Sequence, residues 1–215
     1  MTEKRFIPAA PVQIEKLVVN SRFIADAAPV FSVDEAKAFI AGVKAKYPDA
    51  THHVPAFLIG HGNSVTAHCS DDGEPSGTAG RPVLSVVQGS GLGDIVVVVT
   101  RYYGGTKLGT GELVRAYSGA ARDVLVALPR AVKVPTYTVM LAVTYPIFER
   151  LRLLVAKHGG RTLDEEFAAD VTVSAQFAMD MFEAFQNELR ELTQGKVQAE
   201  IIEEKLDTIM PVERD

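Results

Sequence analysis

The chain has 215 residues, 47% of them hydrophobic and 23% charged, with a formal net charge of −5, a balance that supports a buried core and excludes disorder over most of its length. One cysteine, Cys69, excludes a disulfide framework and a cysteine-rich zinc module, and it fits a reducing compartment. Trp is absent and aromatics make up 7% of residues, which excludes a broad base-stacking platform.

Residues 1–10 mix Glu3, Lys4, Arg5 and Pro8 and leave no room for the apolar stretch of a signal peptide. Two strands are predicted, over 12–19 and 21–27, followed by a helix capped by Ser32. Glu35 completes its capping box, Ala36, Phe39, Ile40 and Val43 form its apolar face, and Pro48 ends it. Strands over 53–59 and 65–69 flank a turn at His61-Gly62-Asn63-Ser64, and a polar loop over 70–80 leads into a helix with Pro82 near its start. The continuous run Ile95 to Val99, within a strand over 94–102, marks burial on both faces and is too short to cross a bilayer. The expectation is a soluble cytoplasmic protein with no membrane partner. A glycine-rich loop over 104–111 then opens a helix over 112–128, with Leu113, Tyr117, Ala120, Val124 and Leu128 as its buried stripe. Glu112, Arg115, Gly119 and Arg122 fall on another face.

Pro129 to Pro135, with two prolines and two basic residues, reads as a boundary between domains over 1–130 and 136–210. Beyond it a strand over 137–145, a helix opened by Pro146, strands over 161–167 and 170–177, a helix over 180–193 and a strand over 196–206 follow in turn. That order is βαββαβ, the ferredoxin-like arrangement. Charge divides along the same line. Residues 1–135 carry 14 Lys and Arg against 12 Asp and Glu, and residues 136–215 carry 8 against 15. An acidic second domain of this kind suits a protein partner better than a polyanion.

Two stretches concentrate the chemistry. In residues 101–117 a buried strand runs into a loop with Gly104, Gly105, Gly109 and Gly111 and then into a helix. Glycines admit close backbone approach, a helix N-terminus favours an anion, and Arg101, Lys107 and Arg115 supply charge-assisted donors for phosphate. The spacing matches neither the Walker A loop nor the dinucleotide fingerprint. The alternative is a tight βα turn whose glycines serve backbone geometry alone. In residues 71–82, Asp71, Asp72 and Glu74 are followed by Ser76, Thr78 and Arg81. With His53 nearby, these residues outline a polar cleft able to hold Mg²⁺, although the spacing is not that of an EF-hand. The alternative is a turn network in which the carboxylates bond backbone N–H groups or pair with Arg81 or Arg101. His52 and His53 point to opposite faces of a strand and cannot share a metal. No nucleophile elbow is present. No catalytic residue, metal site or cofactor is assigned.

Taken with Ser21-Arg22-Phe23 and Thr51-His52-His53, the two stretches resemble the Impact/YigZ family over residues 10–128, and the remainder resembles the C-terminal domain of bacterial YigZ proteins. The resemblance implies an α+β chain: an N-terminal domain like the second domain of ribosomal protein S5, then a ferredoxin-like domain. It also implies a link with translational regulation. The expected function is a non-enzymatic translation regulator that meets RNA or the ribosome through Arg81, Arg101, Lys107, Arg115 and the loop glycines. The alternative is a Mg²⁺-dependent enzyme or binding protein for a small phosphorylated ligand. The 71–82 and 101–117 loops are expected to meet.

Overall fold

The computed structural model describes residues 5–62 and 64–212, so the turn expected at 61–64 lies partly outside the described residues, as does the segment 1–4. Two compact units are present, Met1–Val132 with Pro211–Asp215, and Lys133–Met210. The stretch over 129–135, where the domain boundary was placed, is strand from Arg130 onward. Arg130 opens β7 and the strand runs unbroken to Val143, through Pro135.

The first unit is a five-stranded sheet in the order β2-β3-β6-β4-β5, formed by β2 (Val12–Val18), β3 (Ser21–Pro29), β4 (His52–Ile59), β5 (Thr66–Cys69) and β6 (Ile95–Tyr102). A short strand, β1 (Arg5–Pro8), precedes it. Val19, at φ 55°, carries the tight turn from β2 into β3. All neighbouring pairs in the sheet are antiparallel. It follows that β3 and β4 run parallel with β6 between them, and β5 and β6 run parallel with β4 between them. Helix α1 (Val33–Lys46) makes the first of these split crossovers and α2 (Gly80–Gly89) the second. Ser32 caps α1 through a bond from the Glu35 N–H, but the Glu35 carboxylate takes the N–H of Phe31, one residue before the cap, so half of the expected capping box forms.

The aliphatic run of β6 is explained by helices on both faces. Ile95, Val97 and Val99 join a core with α2 and α3 (Thr110–Ala127), built on Phe23, Val54, Ala56, Val83, Leu113, Tyr117 and Val124. Val96 and Val98 pack on the other face with Ala36 and Val43 of α1. Alternation along one strand thus serves two cores.

The second unit has the strand order β10-β7-β9-β8, with β8 (Arg161–Phe167), β9 (Val171–Ala178) and β10 (Glu200–Pro211). Helices α4 (Tyr145–Lys157) and α5 (Met179–Leu192) bury Leu151, Leu154, Phe185 and Leu189 against Val139, Val173 and Phe177. This is the ferredoxin-like βαββαβ order. The final strand starts four residues later than its alternation predicts. Residues before it are tied to α5 instead: the Val197 N–H reaches Thr193 Oγ1, and the Ala199 N–H reaches the Gln186 side-chain oxygen.

Because Val97 is fully buried and Val126 is 84% exposed, Val97→Thr and Val126→Thr separate burial from composition. A hydroxyl placed in the sheet core is expected to cost about 1–3 kcal/mol, while the surface change stays within about 0.5 kcal/mol, read from urea unfolding midpoints.

Candidate functional site

The two chemistry-bearing stretches meet inside the first unit, and the contact is an ion pair. Arg101 leaves β6 on the α2–α3 face and is 4% exposed. Its Nη1 donates to Glu74 Oε1 at 2.6 Å and its Nη2 to Ser21 Oγ at 3.2 Å. Tyr117, on α3, donates its phenol to the same Glu74 oxygen at 2.7 Å. His52 Nε2 stands 3.8 Å from that oxygen, and its Nδ1 lies 2.8 Å from the Asp72 carbonyl. The guanidinium is 5.6 Å from the ring centres of both Phe23 and Tyr103, and Phe23 meets Tyr117 edge to face at 5.2 Å. All four short stretches that carry the family resemblance therefore converge on one carboxylate. Ser21 and the Tyr117 hydroxyl belong to this site although sequence reasoning gave Tyr117 only an apolar role. The available signal was the phenol itself, which needs a partner wherever a helix stripe buries it.

Placement of Arg101 corrects the expectation that it contacts phosphate. It points into the protein and neutralises Glu74, so it offers no charge to a surface ligand. Glu74 is likewise interior, with one carboxylate oxygen taken by both Arg101 and Tyr117. Each carboxylate of the 71–82 loop has its own task. Asp71 accepts the backbone N–H groups of Gly77, Ala79 and Gly80. Asp72 accepts the His53 N–H at 2.7 Å and Lys44 at 3.0 Å. His53 turns to the opposite face, where Nε2 meets the Tyr47 carbonyl at 2.9 Å. Thr78 Oγ1 donates to the Pro75 carbonyl at 2.6 Å, whereas Ser76 is exposed. Among the described residues no group of three or more His, Cys, Asp or Glu is arranged to hold a metal. Asp71, Asp72 and Glu74 form a folding network, the turn alternative.

Burial alone would raise the pKa values of Asp71 and Asp72. The backbone donors on Asp71, with Arg81 nearby, and the His53 N–H and Lys44 on Asp72 outweigh it and hold both below the ordinary carboxylate range. Burial, then the bond to Glu74, pushes the Tyr117 phenol well above its usual value.

What remains at the surface is a smaller basic set, Arg81, Lys107 and Arg115, all exposed. Lys107 is held outward by its neighbours. Thr106 Oγ1 accepts from the Asn20 side-chain amide at 3.1 Å, and Leu108 packs against the core. Gly104 is required for this anchoring, since a Cβ there would fall 1.6 Å from the Asn20 carbonyl oxygen. Gly105, at φ 84°, takes a conformation open to glycine. Gly109 is the N-cap of α3, and its N–H is taken by the Glu112 carboxylate at 3.3 Å. Gly111 sits in the first turn beside Arg115. The helix N-terminus thus supplies its own anion, and any phosphate contact falls to the three cations.

The architecture is that of an Impact-type domain followed by a ferredoxin-like domain. Residues 19–125 match the Impact N-terminal domain and residues 141–196 match a domain of unknown function, DUF1949. The chain is 38% identical over 203 residues to the IMPACT family member YigZ of Escherichia coli (strain K12), covering 94% of this chain and all of that protein. A Haemophilus influenzae IMPACT family member is 36% identical over 198 residues, covering 92% and 96%. A crystal structure titled only as a hypothetical protein aligns at a TM-score of 0.62 with 37% identity, over 95% of this chain and all of that one. The chain belongs to the IMPACT family.

Arg101→Ala strands the buried Glu74 charge and is expected to cost about 3–5 kcal/mol, whereas the paired change Glu74→Gln with Arg101→Met recovers much of that loss. Chemical unfolding of both variants measures the difference. Asp71 titrates lower in the folded chain than when unfolded, so its stabilisation is present above the unfolded pKa and lost as pH falls through the folded one. Asp71→Asn should lower stability at neutral pH and flatten its decline below about pH 4, as read by melting temperature against pH.

Proposed function

We propose that this protein is a non-enzymatic cytoplasmic regulator of translation that meets RNA or the ribosome through the basic surface around the loop that follows β6. The observation that carries the reading is Lys107, exposed between two anchored neighbours and followed in α3 by exposed Arg115. A cation held outward in this way loses little further freedom on meeting a phosphate. Arg81, exposed in the first turn of α2, adds a third charge. Membership of the IMPACT family and the link with translation that the resemblance implies agree with it. The acidic composition of the second unit suits contact with a basic protein surface and disfavours a second RNA-binding face. An enzyme acting on a phosphorylated ligand is less well supported, because Asp71, Asp72 and Glu74 are each engaged by backbone or by cations.

Sedimentation with ribosomal particles across a salt series tests this reading. Wild-type association should weaken steeply with salt as condensed counterions are released. Lys107→Ala with Arg115→Ala should weaken it about tenfold or more, and should reduce the slope of log affinity against log salt by roughly 1–2, with an unchanged melting temperature. Equal association of both proteins would overturn the assignment of this surface.

A further inference from the structure

The opposite face of the same sheet carries a second polar feature, remote in kind from the first. Strand β3 places Asp26 in the middle of an apolar run, between Ala25 and Ala27, on the α1 side. The residue is 6% exposed. Its Oδ1 accepts from Lys46 Nζ at 3.1 Å, and its Oδ2 is buried with no hydrogen-bond partner. An unpartnered carboxylate oxygen in a protein interior is expensive, and such groups call for an explanation.

A cavity of about 390 Å³ adjoins it, within the roughly 300–1,000 Å³ range of small-molecule sites. Its far wall is α1, through Phe39, Gly42 and Val43, and its near wall is β2 and β3, through Gln13 and Asp26. The space exists because α1 packs on β4 and β6 and leaves the β2–β3 end of that face uncovered. Gly42 widens it, since a Cβ there would meet nothing within 4 Å. At the mouth stands Lys46, a long side chain half exposed to solvent, with its ammonium shared between Asp26 and the Gln13 side-chain oxygen at 2.5 Å.

We propose that this cleft binds a small arylalkyl amine, whose ammonium takes the Asp26 carboxylate while its apolar body lies against Phe39 and Val43. The chemistry follows from the lining. A carboxylate and an amide oxygen at one end select a donor cation and repel anions, and the apolar wall disfavours sugars and polyols. Lys46 already marks the position, because its own ammonium occupies the place the ligand's would take. Swinging its flexible stem aside opens the carboxylate to the cleft, where a ligand ammonium with three N–H donors replaces Lys46 at Oδ1 and can also reach Oδ2, which Lys46 leaves without a donor. Burial pushes the Asp26 carboxyl upward and the Lys46 bond draws it back, in keeping with a carboxylate that gains from a further cationic donor.

The test uses phenethylamine, with phenethyl alcohol and 3-phenylpropionate as neutral and anionic counterparts, titrated into the ¹⁵N-labelled full chain at neutral pH. Phenethylamine should shift the amides of residues 26, 27, 42 and 43 saturably, with a dissociation constant of about 1 mM for a fragment of this size. The alcohol should bind about tenfold more weakly and the acid not at all. Gly42→Leu fills the cleft from an exposed helix position and should abolish the shifts while preserving the fold. Asp26→Asn should weaken the amine about tenfold and remove its advantage over the alcohol. Absence of saturable shifts up to about 10 mM, equal binding by amine and alcohol, or wild-type binding in Gly42→Leu would each overturn the proposal.

Discussion

The first unit depends on one buried charge pair. Glu74 enters from a loop and Arg101 from the central strand β6, and neither charge is tolerable in that interior without the other. The 70–80 loop therefore has one acceptable position, closed against the sheet with its carboxylate beneath α3. Tyr117 and Ser21 complete the arrangement from α3 and β3, so that loop, sheet and helix are bound at a single point. Such a pair contributes little net stability against an apolar replacement. What it supplies is a unique registration of segments that are far apart in sequence.

That registration explains why residues read as a ligand site turn out to be scaffold. Asp71 ties the turn to the start of α2 through three backbone N–H groups, and Asp72 ties it to β4 and α1. The same residue types would serve a metal or a phosphate equally well. Their chemistry is decided by what they face, and here they face N–H groups and cations of the same chain.

The elements were legible from pattern because pattern is local. The helix cap at Ser32, the two-sided burial of Ile95 to Val99 and the stripe from Leu113 to Leu128 each express local pattern against a helix or a sheet. The βαββαβ order of the second unit was readable for the same reason. Direction at long range was not. A carboxylate of the 71–82 loop pairing with Arg101 was one of two readings the sequence offered, and residues 101–117 alone could not choose between it and an outward-facing guanidinium. The prolines of 129–135, where the domain boundary was placed, did not reveal that Pro135 is accommodated within a continuous strand β7. Asp26, in the apolar strand β3, was passed over in the sequence, and its meaning needed the gap beside α1 that only the packing creates.

The distinction between scaffold and surface governs how loss of function in this protein is to be understood. Gly104 lies against the Asn20 carbonyl and Thr106 is bonded to the Asn20 side chain, so the start of the loop is fastened to the β2–β3 turn. Leu108 fastens its far end to the core. Between them Lys107 projects outward, and its position is inherited from the contacts of Gly104, Thr106 and Leu108. A change at Arg101, Glu74 or Gly104 would move Lys107 by loosening what holds it, and would look like loss of a binding residue in any assay that reads association alone. Only substitutions at exposed cations can distinguish contact from support, because they leave the buried pair, and with it the geometry of the loop, as it was.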